Sequence, residues 1–376
     1  MIVYGVAKSV TYEVGERVSH RRGRASWNAV YVEGEWRLVH AYWAANVANG
    51  YSTGRWTLVD KDTNDVAVDV SQNAISKTTK STTPKNIMYD YYFFTDPDKF
   101  VIKCFPDDPT WQLLEKTLTK HEFDTQPFTQ PAFHELKLKD LLHDSCIVGT
   151  KDGIATFEFQ IGMSPEKVKH HQFGYKLLNR RDSEAEGEYD VMTLDRYCLC
   201  YQHEDRAFLQ IRFPVIGVYK LEVHFKDTMH PQPSSWVCDY KVVCREVDPK
   251  CQPLPLIPDI GWGAGEVLQA SGIERLTHTH PVVSLDKEIN TFIRFALSKD
   301  KNLELDADLV TNNMSRDAMR SHVTMEQDGD HVVFVITPPG EGEYALQIYT
   351  KGDTGRRNVL NYLMQRNKPV EVRCFI

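Results

Sequence analysis

Apolar and polar positions fall into two successive patterns along this chain. From Ala25 to Trp43, valines and aromatics run up to Glu33-Gly34 and away again, which is how two strands joined by a two-residue turn look in sequence. That turn puts Val32 opposite Glu35, Tyr31 opposite Trp36 and Trp27 opposite His40. Ala25 and His40 then become diagonal neighbours on one face, about 7–8 Å apart. Two short helices are expected next. Asp96-Pro97 starts one with Phe100 and Val101 on its buried side, and Asp108-Pro109 starts another in which Trp111, Leu114 and Leu118 recur, with proline at the first helical position in each.

After Phe133, alternation of period two takes over. The runs 154–161, 207–213 and 219–225 read as half-buried strands. One template occurs twice, as Gly217-Val-Tyr219-Lys-Leu221-Glu-Val223 and Gly342-Glu-Tyr344-Ala-Leu346-Gln-Ile348, and Ala155-Thr-Phe157-Glu-Phe159 matches Phe292-Ile293-Arg-Phe295. Two copies of a strand-rich module, each with a tyrosine near its last hairpin, predict tandem immunoglobulin-like sandwiches. In such sandwiches the tyrosine ring fills the core and its hydroxyl reaches a loop carbonyl. Between the copies, Pro249 to Pro258 reads as a semi-rigid spacer, and the Ser, Thr and Lys-rich run 71–85 reads as an exposed loop.

The predicted organisation is α+β: residues 1–128, then β-sandwiches over 129–248 and 261–376, joined by a proline-rich linker at 249–260. With 41% hydrophobic and 26% charged residues, the 376-residue chain has an ordinary globular composition. No window approaches the roughly 18 apolar residues that cross a bilayer, and the start lacks the pattern of a secretory signal. A cytosolic protein is expected. The net charge of −8 argues against a nucleic-acid or anionic-membrane surface, and His20-Arg21-Arg22-Gly23-Arg24 is more simply a solvated loop. Partners are therefore expected to be proteins.

The eight cysteines have no regular spacing and include no CxxC pair, which fits free thiols in a reducing compartment. Cys198-Leu-Cys200-Tyr-Gln-His203 lacks a matching second pair, and His170-His171 and His278-Thr-His280 have no carboxylate or cysteine at ligand spacing. Neither a metal nor a cofactor is expected.

The hairpin resembles the active-site strands of the transglutaminase-like superfamily of cysteine peptidases and acyl transferases, where one strand carries His-x-Trp-Asn-x-Val and the next Trp-x-Leu-x-Asp. Trp27, Asn28, Val30, Trp36 and Leu38 match, but Ala25 stands at the histidine position and His40 at the aspartate position. The superfamily's cysteine lies upstream of this hairpin at the start of a helix, whereas the first cysteine here is Cys104. A thiol needs a base to become a thiolate and a group to orient that base. The resemblance therefore implies a scaffold without its mechanism.

The runs Asp96-Pro97, Phe105-Pro106-Asp107-Asp108-Pro109, Trp111-Gln112-Leu113-Leu114 and Pro131-Ala132-Phe133, with Gly5-Val6-Ala7-Lys8 and Val14-Gly15, narrow the resemblance to the kyphoscoliosis peptidase and hillarin family. Members pair a transglutaminase-like core with downstream β-domains, and some are associated with muscle or the cytoskeleton. Structural roles are expected for the motif residues Trp27, Asn28, Trp36, Trp43, Pro106, Asp108, Pro109 and Trp111. Members often have histidine where Cys104 stands, and Cys104 is expected to be a packing residue.

These features point to a catalytically inactive, cytoskeleton-associated interaction scaffold. Its transglutaminase-like core looks truncated at the N-terminus, so the first strand, 1–6, is expected to need covering by the sandwiches or by a second chain. The alternative is a cysteine peptidase or acyl transferase, if this chain is a fragment lacking an upstream cysteine-bearing helix. A third reading is a spacer with no specific partner.

Overall fold

The structure, a computed structural model, describes residues 1–9, 12–45, 56–58, 90–180, 194–229, 234–265, 268, 271–285, 290–298, 303–352 and 355–366. The run 71–85 lies outside the described residues. The chain packs as two compact units, residues 1–194 with 212–249 and residues 195–211 with 250–376. Among the described residues no helix is long and apolar enough to cross a membrane.

The first unit opens with β1 (Ile2–Ala7), β2 (Arg24–Val32), β3 (Glu35–Val39), β4 (Trp56–Leu58), β5 (Phe93–Thr95) and β6 (Cys104–Pro106). Five of these form a sheet in the order β5-β3-β2-β1-β6. The β2–β3 register matches the sequence expectation from Val32↔Glu35 through Tyr31↔Trp36 to Asn28↔Val39. Glu33 (φ 53) and Gly34 (φ 88) form its turn, both left-handed as such a hairpin requires. Gly5 is dictated by close approach, because a Cβ there would lie 2.2 Å from the Phe105 carbonyl oxygen and 2.8 Å from the Trp27 ring. The residues of the basic run are not all loop: His20–Gly23 makes one helical turn.

The first of the expected helices forms over Pro97–Phe100, preceded by Asp96 and with Phe100 and Val101 buried. The second differs from expectation. It is a 3₁₀ turn over Pro109–Gln112, ended by Leu113 in the left-handed region (φ 56), so Leu114 and Leu118 are not on it. Asp108 caps the start of this turn, accepting from the Thr110 backbone N at 3.0 Å and from the Thr110 hydroxyl at 2.7 Å.

The first unit continues with β7 (Phe128–Thr129), β8 (Leu138–Asp140), β9 (Ile147–Gly149), β10 (Ile154–Ile161) and β11 (His171–Arg180). After β12 (Cys198–His203) and β13 (Arg206–Arg212), β14 (Gly217–Asp227) and β15 (Ser235–Cys244) complete it. One sheet runs β4-β11-β14-β15-β7, with β9 also on β15, and β8 pairs with β10. Every second residue of β10 is buried. Its Phe157 and Phe159 meet Tyr240 and Phe173 at centroid separations of 4.9 and 5.9 Å, which closes a sandwich core.

The second unit holds the β12–β13 hairpin and then β16 (Gly263–Ala264), β17 (Ile273–Leu276), β18 (Val282–Ser284), β19 (Thr291–Leu297) and β20 (Glu304–Val310). It closes with β21 (Val323–Asp328), β22 (His331–Ile336), β23 (Gly342–Gly352) and β24 (Gly355–Arg366). Its sheets run β16-β24-β23-β20, with β18 on β24, and β17-β19-β22-β21. They bury a core that includes Ile293, Phe295, Phe334, Leu346, Ile348 and Tyr362.

The proline-rich stretch is not a free spacer. Leu254 and Trp262 are buried with Val310, Ala345 and Leu363 on one face of the β20–β23–β24 sheet, together with Leu199. Its carbonyls are taken in turn by side chains: Pro253 by Asn312 at 2.6 Å, Leu254 by Arg196 at 2.9 Å, Leu256 by Gln347 at 2.7 Å and Gly261 by Asn361 at 2.7 Å. A proline-rich segment makes few backbone bonds of its own, so burial forces neighbouring side chains, Gln347 and Asn361 of the sheet among them, to supply donors.

Both repeat tyrosines take the expected corner role. Tyr219 donates to the Val215 carbonyl at 3.0 Å and Tyr344 to the Gly340 carbonyl at 2.9 Å, the same spacing in each copy. Tyr219→Phe and Tyr344→Phe each remove one such bond and are expected to cost about 1 kcal/mol. Each should lower the denaturant midpoint of its own unit and leave the other's in place.

Candidate functional site

The positions that carry chemistry in the resemblance meet at the N-terminal sheet. Ala25 lies in β2 directly opposite Gly5 of β1 and packs half-buried at the edge of a cluster containing Val3, Trp27, Ala29, Leu38, Phe100 and Cys104. Trp27 pairs with Val3 and tilts against Phe100 at 5.6 Å. No polar group occupies the histidine position.

His40 corrects an expectation, because the β2–β3 ladder stops at Asn28↔Val39 and does not extend to Trp27. Its backbone N donates instead to the Tyr92 carbonyl at 3.0 Å, and its own carbonyl accepts from the Ala44 N at 2.9 Å. It thus heads the helix Ala41–Ala45. Its Nδ1 accepts from the Trp43 N at 3.3 Å, and the imidazole stacks on the Trp43 ring at 3.9 Å. A nitrogen that accepts must be unprotonated, so the imidazole is neutral. Burial holds its pKa down at about 4, against an ordinary 6.5.

Cys104 is buried in β6 opposite Ala7. Burial pushes its thiol well above the ordinary range, against the pull of the adjacent Lys103. With Trp43, Tyr91, Tyr92 and Phe100 it lines a recess that has no room for a water molecule. Lys103 donates to the Tyr92 hydroxyl at 2.9 Å and to Gln130 Oε1 at 2.6 Å, and burial holds its ammonium down at about 8.

The motif residues have identifiable structural jobs. Trp36 meets Tyr31 at 5.4 Å and Trp111 at 5.2 Å, both edge to face. Pro106 pairs with Gly5, Asn28 bridges Ile2 and Val39, and Asp108 and Pro109 start the 3₁₀ turn that presents Trp111. The expected exposure of the first strand is confined to alternate residues. Ile2 and Tyr4 are 58% and 56% exposed, whereas Val3, Val6 and Ala7 are buried. Cys198 and Cys200 oppose Ile211 and Leu209 on one strand face, and the described residues contain no cluster of three metal-ligating side chains.

Sequence reasoning missed a polar cluster in the first unit. Lys220 donates to Glu222 at 2.8 Å and lies 3.3 Å from Asp239, Trp236 donates to Asp239 at 2.5 Å, and His224 lies 3.5 Å from Glu222. The signal available was Lys220-x-Glu222-x-His224, a period-two polar row that normally marks a solvent face. Here that face is covered, and Trp236 packs with Val14, Phe128 and Cys146. Burial pushes the Asp239 carboxyl up. Despite burial, Lys220 is held charged by Asp239 and Glu222.

Two outcomes follow from these environments. The unfolded state binds the His40 proton between pH 6.5 and about 4 while the folded state does not, so stability present above 6.5 is lost as pH falls through that window. The full loss is about 3 kcal/mol. His40→Asn keeps a capping acceptor and should flatten the difference between unfolding curves taken at pH 7 and pH 4.5. Lys220→Met leaves the carboxylates of Glu222 and Asp239 buried without their cation, at a cost of about 3–5 kcal/mol. Adding Asp239→Asn should recover part of it in the same denaturation assay.

A family model described as KY-like, immunoglobulin-like domain matches residues 120–255 and 270–376. Hillarin of Drosophila melanogaster is 27% identical over 362 residues, covering 93% of this chain and 41% of hillarin. Lim and transglutaminase domain protein ltd-1 of Caenorhabditis elegans is 26% identical, covering 94% of this chain and 46% of its own length. Kyphoscoliosis peptidase of Mus musculus is 23% identical, covering 96% and 47%. The chain spans less than half the length of the curated relatives it matches. Since the family model accounts for well over half of its residues, this chain belongs to the family with KY-like, immunoglobulin-like domains.

Proposed function

We propose that this chain is a catalytically inactive, transglutaminase-like relative of the kyphoscoliosis peptidases that works as a cytoplasmic, cytoskeleton-associated protein scaffold. The observation that carries this reading is the state of His40. Its imidazole is buried, neutral and committed to capping a helix. Ala25 cannot act as a base, and the Cys104 thiol has neither a hydrogen-bonded histidine among the described residues nor room beside it for a substrate. Nucleophilic catalysis needs a thiol, a base and an orienting group within reach of each other.

The transglutaminase-like character of the N-terminal sheet draws support from the matched hairpin positions and from the name of the nematode relative. The interaction role draws support from the aromatic surface of the same sheet. Tyr31 is 63% exposed beside the half-exposed Trp36, and exposed Tyr and Trp are the residues that most often anchor protein contacts.

Two measurements test the reading. The folded chain should show no labelling by thiol-directed active-site probes and release no ammonia from glutamine peptides. Turnover abolished by Cys104→Ala or His40→Ala would sink it. In co-sedimentation with cytoskeletal filaments, the chain should pellet with its filament partner, and the surface variant Tyr31→Ala should weaken that association by about tenfold or more while keeping the denaturation profile.

A further inference from the structure

We propose that each sandwich resists tension applied along the chain through a short parallel strand pair joining its entry strand to its last strand. This goes beyond the scaffold reading and holds whichever partner the protein engages.

The device occurs twice. In the first sandwich β9 runs parallel to β15, Ile147–Gly149 lying opposite Lys241–Val243. In the second, β18 runs parallel to β24, Val282–Ser284 lying opposite Leu363–Gln365. The bonds at the two ends of each pair also repeat. Lys241 N donates to the Cys146 carbonyl at 2.8 Å and Thr150 N to the Val243 carbonyl at 3.1 Å. In the second copy Leu363 N donates to the Pro281 carbonyl at 2.8 Å and Leu285 N to the Gln365 carbonyl at 2.8 Å. In both copies the preceding strand sits in the opposite sheet, β8 antiparallel to β10 and β17 antiparallel to β19. The chain therefore crosses between sheets to place a three-residue strand beside the last one.

Direction decides what that strand does under load. The chain enters a parallel pair at one end and leaves it at the other, so traction on the two ends slides the strands past each other. All the bonds between them are strained together and must break together. An antiparallel pair whose loaded ends lie at the same edge peels open one bond at a time. Parallel pairing is slightly weaker per residue at equilibrium, so three residues of it add little to ordinary stability. Resistance to force is set instead by the rate of unfolding, and this pair stands directly between the points of entry and exit. Upstream, β7 joins β15 antiparallel over only Phe128–Thr129 and can peel first.

Single-molecule stretching of the full chain tests this. Held at its two ends, it should give two high-force events whose length increments match residues 147–243 and 282–365. Thr150→Pro removes one donor from the first pair and should speed the first event about tenfold at fixed force, leaving the second unchanged. A second arm needs no destabilising substitution. A handle at Pro339, next to the end where Gly342 opposes Arg366, paired with the C-terminus, loads β24 by peeling. The second sandwich should then open at a clearly lower force. Equal forces in the two pulling directions, or a first event unaltered in a folded Thr150→Pro chain, would overturn the proposal.

Discussion

The constraint that organises this molecule is that one sheet of each sandwich, the one holding β14 or β23, is covered on both faces. A strand presents alternate side chains to opposite sides, and an antiparallel sandwich commonly leaves one side to water. Here β14 and β23 bury Tyr219, Leu221, Tyr344 and Leu346 on one side and are overlaid on the other. Polar groups beneath the overlay cannot reach solvent and must be satisfied by what lies above them. Glu222 and Gln347 occupy matching positions of the repeat, three residues after the corner tyrosines, and meet the demand differently. Glu222 takes Lys220 and His224, while Gln347 takes a carbonyl of the proline-rich stretch.

That shared demand explains why the segments between recognisable domains are ordered. Asn312, Gln347 and Asn361 are donors that would be unremarkable on a solvated face, and each holds a carbonyl of a segment whose prolines contribute no N–H. In the first unit, the corresponding face carries charge, and the aromatic rings of Trp236, Phe128 and Tyr12 form a chain over it. Exchange of charge for amide at one repeat position alters chemistry without altering the sandwich.

The same logic accounts for the N-terminal sheet. Its tryptophans, glycine and prolines act geometrically: Gly5 clears the Trp27 ring, Pro109 fixes the turn that delivers Trp111 to Trp36, and Trp43 stacks on His40. Each part acts through packing or capping. His40 heads the helix that follows it, which is why its Nδ1 lone pair is turned to a backbone N–H.

Local rules written in the sequence determined much of this. The hairpin register followed from Glu33-Gly34, the β10, β13 and β14 strands from alternation, and the two tyrosine corners from a repeated template, because turn geometry and strand period act over a few residues. The helical spacing of Trp111, Leu114 and Leu118 misled: Asp108-Pro109 starts a helical turn, but the left-handed Leu113 ends it at once. The tertiary structure alone decided the rest. It turned His40 out of the ladder, laid the proline-rich stretch on a sheet, and buried Lys220, Glu222 and Asp239. Burial of a polar residue depends on which distant segment covers it, and no spacing within the strand itself records that choice.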